Sequence, residues 1–301
     1  MPIIWPEAFS GDFLKKLRRS VRYVFLLVII RFIENLPVTA FSRLKRLLRK
    51  AIPVFFSRQM ERARELLPEE FARDREKIIS GVIDNQVLTL LEVFFYEKLL
   101  AADSNFIHVT GVEHLEAARR AGRGILILSA HFGSWELVAY TLVKMGYPLQ
   151  IIVRPQAINQ MTELINGFRE RRGMRILMEN NLNAAMKILR DGGMIGIVSD
   201  LNARERGYRV PFFGREASFY HAPILLSERT RADLIPVSIF RQPSGRHEII
   251  IEPPLSWDKH DSMTNKVRTY VARYESMIRR CPGQWVWFHE RYVHADLGRT
   301  G

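Results

Sequence analysis

From about residue 105 onward, short unbroken apolar runs alternate with stretches of helical spacing, and this alternation limits the folds open to the chain. Gly124-Ile-Leu-Ile-Leu-Ser-Ala130 is apolar at odd and even positions alike, as in a strand covered on both faces. A helix is predicted from Trp135 to Met145, closed by Gly146. The rhythm continues with strands at 149–154, 175–178, 194–199, 234–240 and 247–251, and helices at 158–172, 183–190, 221–231 and 264–280. Doubly buried strands separated by helices assemble into parallel sheets between helical layers. The expected fold is therefore α/β, with a mostly parallel central sheet flanked by helices. The stretch after Asp200, rich in Arg, Gly and Pro, reads as a loop. Residues 1–100 read as a basic, helical N-terminal region and residues 101–301 as the α/β domain.

The charge is uneven. The chain carries 45 Lys and Arg against 32 Asp and Glu, a net charge of +13. Fourteen of the cations but five of the acids fall in residues 1–65, so most of the excess lies there. An anionic partner follows from such a surplus. The apolar run Val24–Ile30 lies between Arg22 and Arg31, and its seven residues fall short of the ~20 a spanning helix needs. Nor does a cleavage site follow it, so a secretory signal is not expected. Next, Phe41, Leu44, Leu47, Leu48, Ala51 and Ile52 share one helical face, opposite Arg43, Lys45, Arg46, Arg49 and Lys50. Two readings fit. In one, the helix lies in a membrane interface with Trp5 and Phe9 as anchors. In the other, its apolar stripe packs on the protein and the cations are simply solvated. A basic module of the kind nucleic-acid binders carry is missing, so nucleic acid is not an expected partner.

The single cysteine excludes an internal disulfide framework, and no His, Cys and carboxylate cluster has metal-ligand spacing. Neither a P-loop nor G-x-G-x-x-G occurs, so no cofactor or metal is expected. The chemistry is sought among the eight histidines. An acid follows five residues later at His108/Glu113, His131/Glu136 and His247/Glu252. The last pair lies in a predicted strand, where residues five apart face opposite sides. The first flanks a turn with nothing reactive nearby. Only His131 sits at the carboxyl end of a buried strand, where open α/β sheets hold their ligands. Gly133 permits a tight turn and Ser134 is a candidate helix N-cap, which brings Glu136 into the first helical turn. The junction is expected to fold Glu136 back onto His131. His131 would then take a proton from an acceptor hydroxyl while Glu136 holds the other ring nitrogen. Ser134 is a poorer nucleophile, since no G-x-S-x-G elbow surrounds it.

Ser129-Ala-His-Phe-Gly-Ser-Trp-Glu136 resembles the signature of the bacterial late acyltransferases of lipid A biosynthesis, lauroyl/myristoyl transferases of the lysophospholipid acyltransferase superfamily. Other blocks resemble the family in order: Ile152-Val-Arg-Pro155, Asn159 and Arg169, the strand ending Val-Ser-Asp200, Val210-Pro-Phe-Phe-Gly214, Leu234-Ile-Pro-Val237 and Trp287-Phe-His-Glu-Arg291. The resemblance implies an O-acyltransferase at the cytoplasmic face of the inner membrane, attached peripherally or by one N-terminal anchor. It implies an acyl thioester donor, on acyl carrier protein or coenzyme A, and an anionic glycolipid acceptor. His131 and Glu136 take the catalytic roles. Arg154 and Arg169 are implied to bind phosphate or headgroup, with Arg171 and Arg172 as alternatives to Arg169. Asp200 would orient an arginine or a substrate hydroxyl. Asn159, Gly133, Phe212, Phe213 and Gly214 complete the implied substrate-binding set. Leu201-Asn-Ala203 departs from the family's usual Gln-Asp, which leaves the acceptor open between a lipid A precursor, a phosphatidylinositol mannoside and a lysophospholipid. A non-catalytic basic protein is the remaining class, resting on charge alone.

Overall fold

A computed structural model describes residues 28–154 and 159–293. Trp5, Phe9, most of the run beginning at Val24, and Pro155 lie outside the described residues. Four helices lead in: α1 (28–35), α2 (Phe41–Phe55), α3 (Ser57–Leu66) and α4 (Arg75–Ala102). Then follow β1 (Ile107–Thr110), α5 (Val112–Arg120), β2 (Ile125–Ser129), α6 (Trp135–Lys144), β3 (Leu149–Val153), α7 (Asn159–Arg171), β4 (Arg175–Met178), α8 (Leu182–Arg190) and β5 (Met194–Val198). The chain ends through β6 (Tyr208–Phe212), β7 (Arg215–Phe219), α9 (Ala222–Thr230), β8 (Asp233–Arg241), β9 (His247–Ile251) and α10 (Met263–Arg280).

The sheet runs β1-β9-β8-β2-β5-β3-β4, and only the β8/β9 pair is antiparallel. The reason β2 reads as one apolar run is visible in its packing. Ile125 and Ile127 join the cluster formed with α5 and α6, whereas Leu126 and Leu128 join the cluster on the opposite face with α8, α9 and α10. Successive side chains alternate across the sheet, so a central strand with helices on both sides needs apolar residues at every position.

The described part of the N-terminal region packs into this body. Met60, Ala63 and Leu66 of α3 and Ile78, Ile79 and Val82 of α4 belong to the main core. A segment from Glu69 to Ala102 is long and apolar enough to cross a bilayer, but half of its most apolar window is buried against the protein. In α2 the apolar stripe divides. Phe41, Leu44, Leu48 and Ile52 pack on Val87, Leu91 and Phe95 of α4. Leu47 stays exposed, as do Val54 and Phe55 at 74% and 79%. The packing reading therefore accounts for most of the stripe, and an apolar edge remains beside the cations.

The stretch expected as a loop after Asp200 contains an antiparallel hairpin, β6–β7. Arg209 and Pro211 hide its alternation, in which Val210, Phe212, Ala217 and Phe219 all face inward. Its two-residue turn, Phe213-Gly214, has φ of +49° and +75°, as the tight turns suited to strand twist require. Phe213 is held there by ring contacts with Phe71 and Trp287, and its N–H donates to Glu275.

Candidate functional site

β2 and β5 are parallel neighbours, with Ser129 opposite Val198. Two residues beyond that pair, His131 and Asp200 leave adjacent strand ends side by side. The His131 Nδ1 lies 2.6 Å from Asp200 Oδ1. A carboxylate only accepts, so the proton sits on Nδ1 and the lone pair of neutral His131 is on Nε2. Asp200 is fully buried, and its other oxygen accepts from Trp285 Nε1 at 2.9 Å and Arg291 Nη2 at 2.9 Å. Burial alone would raise the Asp200 pKa, but the charges of His131 and Arg291 outweigh it and hold the group well below the usual carboxylate range. Arg291 is itself buried, and it also donates to the carbonyls of Asp200, Val286 and His289. The Trp287–Arg291 block thus closes over the strand end. His289, with a ring centroid 6.1 Å from that of His131, keeps an exposed edge. Crowding by its neighbours, with the charges of Arg291 and His131, pushes its pKa down to about 4, so it is neutral at pH 7.

This geometry corrects the expected His131–Glu136 contact. The second ring nitrogen is held by Asp200, and Glu136 faces α7 instead. Arg169 grips both Glu136 oxygens, Nη2 to Oε1 at 2.5 Å and Nε to Oε2 at 3.1 Å. The physical reason is strand adjacency. Asp200 emerges beside His131 from the neighbouring strand, whereas the turn at Phe132–Ser134 carries Glu136 onto α6, where α7 presents a guanidinium. Glu136 and Arg169 border a small apolar cavity of about 70 Å³, walled by Ile127, Val138, Ile151 and Val198 and floored by Gly196.

The turn itself is clamped from behind. Gly133 has φ +55°, and a Cβ there would lie 2.4 Å from the Ile239 carbonyl oxygen, so the position requires glycine. Its carbonyl accepts from Thr89 Oγ1 at 3.0 Å, and its N–H donates to Gln284 O at 2.8 Å. Ser134 occupies the N-cap position but does not cap the helix with its side chain. It is fully buried, donates to Glu92 and accepts from Arg241 Nη2 at 2.6 Å. That removes it as a nucleophile. Glu92, buried between Arg241 and His247, is pulled down to about 2 by their charges against the cost of burial.

The remaining sequence candidates scatter. Arg154 lies beyond β3, bonded through Nε to Glu179 at 2.8 Å and through Nη2 to Tyr220 at 3.0 Å. Asn159 is the first residue of α7. Arg172 donates to the Val93 carbonyl, and Arg171 stacks on Phe168. Phe212 and Phe213 pack with Trp285, Trp287 and Phe71, and neither borders the cavity beside Glu136. Gly214 forms the hairpin turn. Sequence reasoning missed Arg241, Glu92 and Arg291 as parts of the site. An acid and an arginine inside otherwise apolar elements were the available signals for the first two.

The profile of the bacterial lipid A biosynthesis acyltransferases matches residues 11–294. The lipid A biosynthesis palmitoleoyltransferase of Escherichia coli K12 is 24% identical over 241 residues, 77% of each chain. The lauroyltransferase of the same organism is 25% identical over 232 residues, covering 75% of this chain and 74% of its own. A phosphatidylinositol mannoside acyltransferase from Mycolicibacterium smegmatis is 23% identical over 196 residues, 64% of each chain. With a profile match over nearly its whole length, the chain belongs to the bacterial lipid A biosynthesis acyltransferase family and is an acyltransferase.

Proposed function

We propose that this enzyme moves a fatty acyl chain from a thioester, on acyl carrier protein or coenzyme A, to a hydroxyl of a glycolipid, with a lipid A precursor as the leading acceptor. The observation that carries the mechanism is the His131–Asp200 pair at neighbouring strand ends. His131 Nε2 takes the hydroxyl proton as the oxygen attacks the thioester carbonyl carbon. The C–S bond breaks, and the proton passes from the imidazolium to the departing thiolate. Asp200 fixes the ring tautomer and stabilises the imidazolium between these steps. Glu136 serves by gripping Arg169 at the mouth of the apolar cavity, where a guanidinium meets negative charge developing on the carbonyl oxygen. No enzyme nucleophile is required, because the thioester is already activated.

The exposed edge of α2, Leu47, Val54 and Phe55 beside Arg43, Arg46 and Lys50, supports attachment to an anionic bilayer surface. That surface would be the cytoplasmic face of the inner membrane, where thioester donors are available. The likeness to phosphatidylinositol mannoside acyltransferases favours a second acceptor. The test is acyl transfer by purified protein from an acyl-carrier-protein thioester to a lipid A precursor. His131→Ala should lose ~10²–10⁴-fold in rate. Equal turnover by the two proteins rejects the mechanism. Transfer to phosphatidylinositol mannoside but not to the lipid A precursor rejects the leading acceptor.

A further inference from the structure

Arg169 sits on a helix that is anchored apart from both cores of the sheet. Among the described side chains of α7, the buried apolar ones are Leu164 and Phe168, four residues apart and so on one face. Neither joins the two clusters that pack against the central sheet. They form a small cluster of their own with Ile30 of α1, and Phe94 of α4 packs against it. Phe94 and Phe168 meet edge to face, with ring centroids 5.4 Å apart. A polar tie lies alongside. Arg172 Nη2 donates to the Val93 carbonyl of α4 at 2.9 Å, and its guanidinium lies over the rings of Tyr140 and Phe168.

α1 enters this arrangement by one side chain. Ile30 is 7% exposed, whereas Val28 and Phe32 of the same helix are 60% and 65% exposed. Residues two apart point to nearly opposite sides of a helix. α1 therefore turns Ile30 toward α7 and the other two away from it. A helix that served as an anchor alone would have no need to bury a side chain against the element that carries Arg169. The lever from that contact to the site is short. Phe168 is the chain neighbour of Arg169, and Arg169 grips both oxygens of Glu136 on α6. α6 is itself fixed in the core through Leu137, Val138 and Leu142. A shift of α7 thus moves the guanidinium against a carboxylate that stays in place.

We propose that Ile30 is a positioning residue for Arg169. α1 latches α7 through the cluster of Ile30, Phe94, Leu164 and Phe168, and the latch sets the guanidinium beside Glu136. The N-terminal helical region is then part of the catalytic apparatus as well as a means of attachment. The inference rests on the role proposed above for Arg169. Truncation of Ile30 to Ala removes one of the three buried side chains of the cluster and leaves a void into which α7 can tilt.

The experiment uses the full chain with Ile30→Ala, Ile30→Val and Arg169→Gln. Hydrogen exchange read by mass spectrometry tests the latch without reference to activity. In Ile30→Ala the amides of α7 should exchange at least ~10-fold faster while those of β2 and β5 keep their protection, and Ile30→Val should restore most of the difference. A misplacement of ~1 Å can cost ~10²-fold in rate, so the kcat of Ile30→Ala should fall about 10-fold, with the KM for both substrates unchanged and Ile30→Val within ~2-fold of wild type. In an Arg169→Gln background, Ile30→Ala should add no further loss, because residues that act as one unit are not additive. Unchanged exchange in α7, or faster exchange across the whole sheet, overturns the latch. An equal loss of kcat in both backgrounds overturns the route through Arg169. So does vesicle flotation that weakens in step with the rate, which would make α1 an anchor only. Faster exchange in α7 beside a fully active Arg169→Gln protein keeps the latch and rejects the catalytic role of Arg169.

Discussion

Replacing Asp200 by Asn tests the reassigned partner of His131 most directly. Asn keeps the shape of Asp, and its amide oxygen can still accept from Trp285 and Arg291, now held by the Oδ2 oxygen. Its amide nitrogen then faces His131 Nδ1, where it can only donate. The ring must move its proton to Nε2, and the lone pair needed to accept the substrate proton is lost. In the Ser-His-Asp hydrolases, where an aspartate likewise fixes a histidine tautomer, the same exchange lowers kcat about 10⁴-fold. A loss of about 10³–10⁴ in kcat is expected here by the same reasoning. Stability falls as well, because Arg291 is buried with its counter-charge removed. Breaking a buried pair costs about 3–5 kcal/mol. The lower end applies, since three carbonyls still accept from Arg291. For a chain of 301 residues that is a fall of roughly 5 °C in melting temperature. Circular dichroism melts would fix a temperature at which both proteins are folded, and steady-state transfer would be measured there. Glu136→Gln is the comparison. If folded Asp200→Asn keeps kcat within tenfold of wild type while Glu136→Gln loses more, Asp200 is not the partner that matters.

Two further outcomes follow from the buried acid behind the turn and from the exposed edge of α2. The folded-state pKa of Glu92 lies near 2, so its contribution to stability is full above the ordinary carboxylate value and is lost as pH falls toward 2. Between pH 5 and pH 3 this loss amounts to about 2 kcal/mol, and denaturant titrations of Glu92→Gln should show that much less acid sensitivity than wild type. An identical loss in both proteins rejects the assignment. For the membrane surface, a Val54→Ser/Phe55→Ser double variant should bind vesicles of anionic lipid at least ~10-fold more weakly in flotation, because both side chains are exposed in the folded chain. Undiminished binding would show that other residues make the attachment.

The strand–helix alternation was readable because β2, β3 and β5 are covered on both faces and must be apolar throughout. His131 was readable for the same reason, as the first reactive group beyond a buried strand. Its partner was not. Spacing along the chain pointed to Glu136, five residues away, whereas the partner is 69 residues away and depends on β5 being the neighbour of β2. Strand order is fixed by packing and leaves no mark in local periodicity. The hairpin at β6–β7 was hidden by arginines and a proline on its outward positions. Glu92 and Arg241 left a faint trace, charges within apolar elements, but their pairing spans 149 residues and crosses from α4 to β8. Composition placed the cations in the N-terminal region without revealing that most of the apolar stripe in α2 is used against α4.

The closure of the strand end by residues 285–291 has a consequence for how the enzyme comes into being. Asp200 acquires its two outer hydrogen-bond donors from Trp285 and Arg291, which follow it by 85 and 91 residues. Until that stretch has docked, the carboxyl group lacks both of these donors, and the strand end that carries it lies uncovered. A nascent chain that has already formed β2 and β5 therefore carries the His131–Asp200 pair open to water. Competence for transfer depends on a segment synthesised long after the strands that bring the pair together.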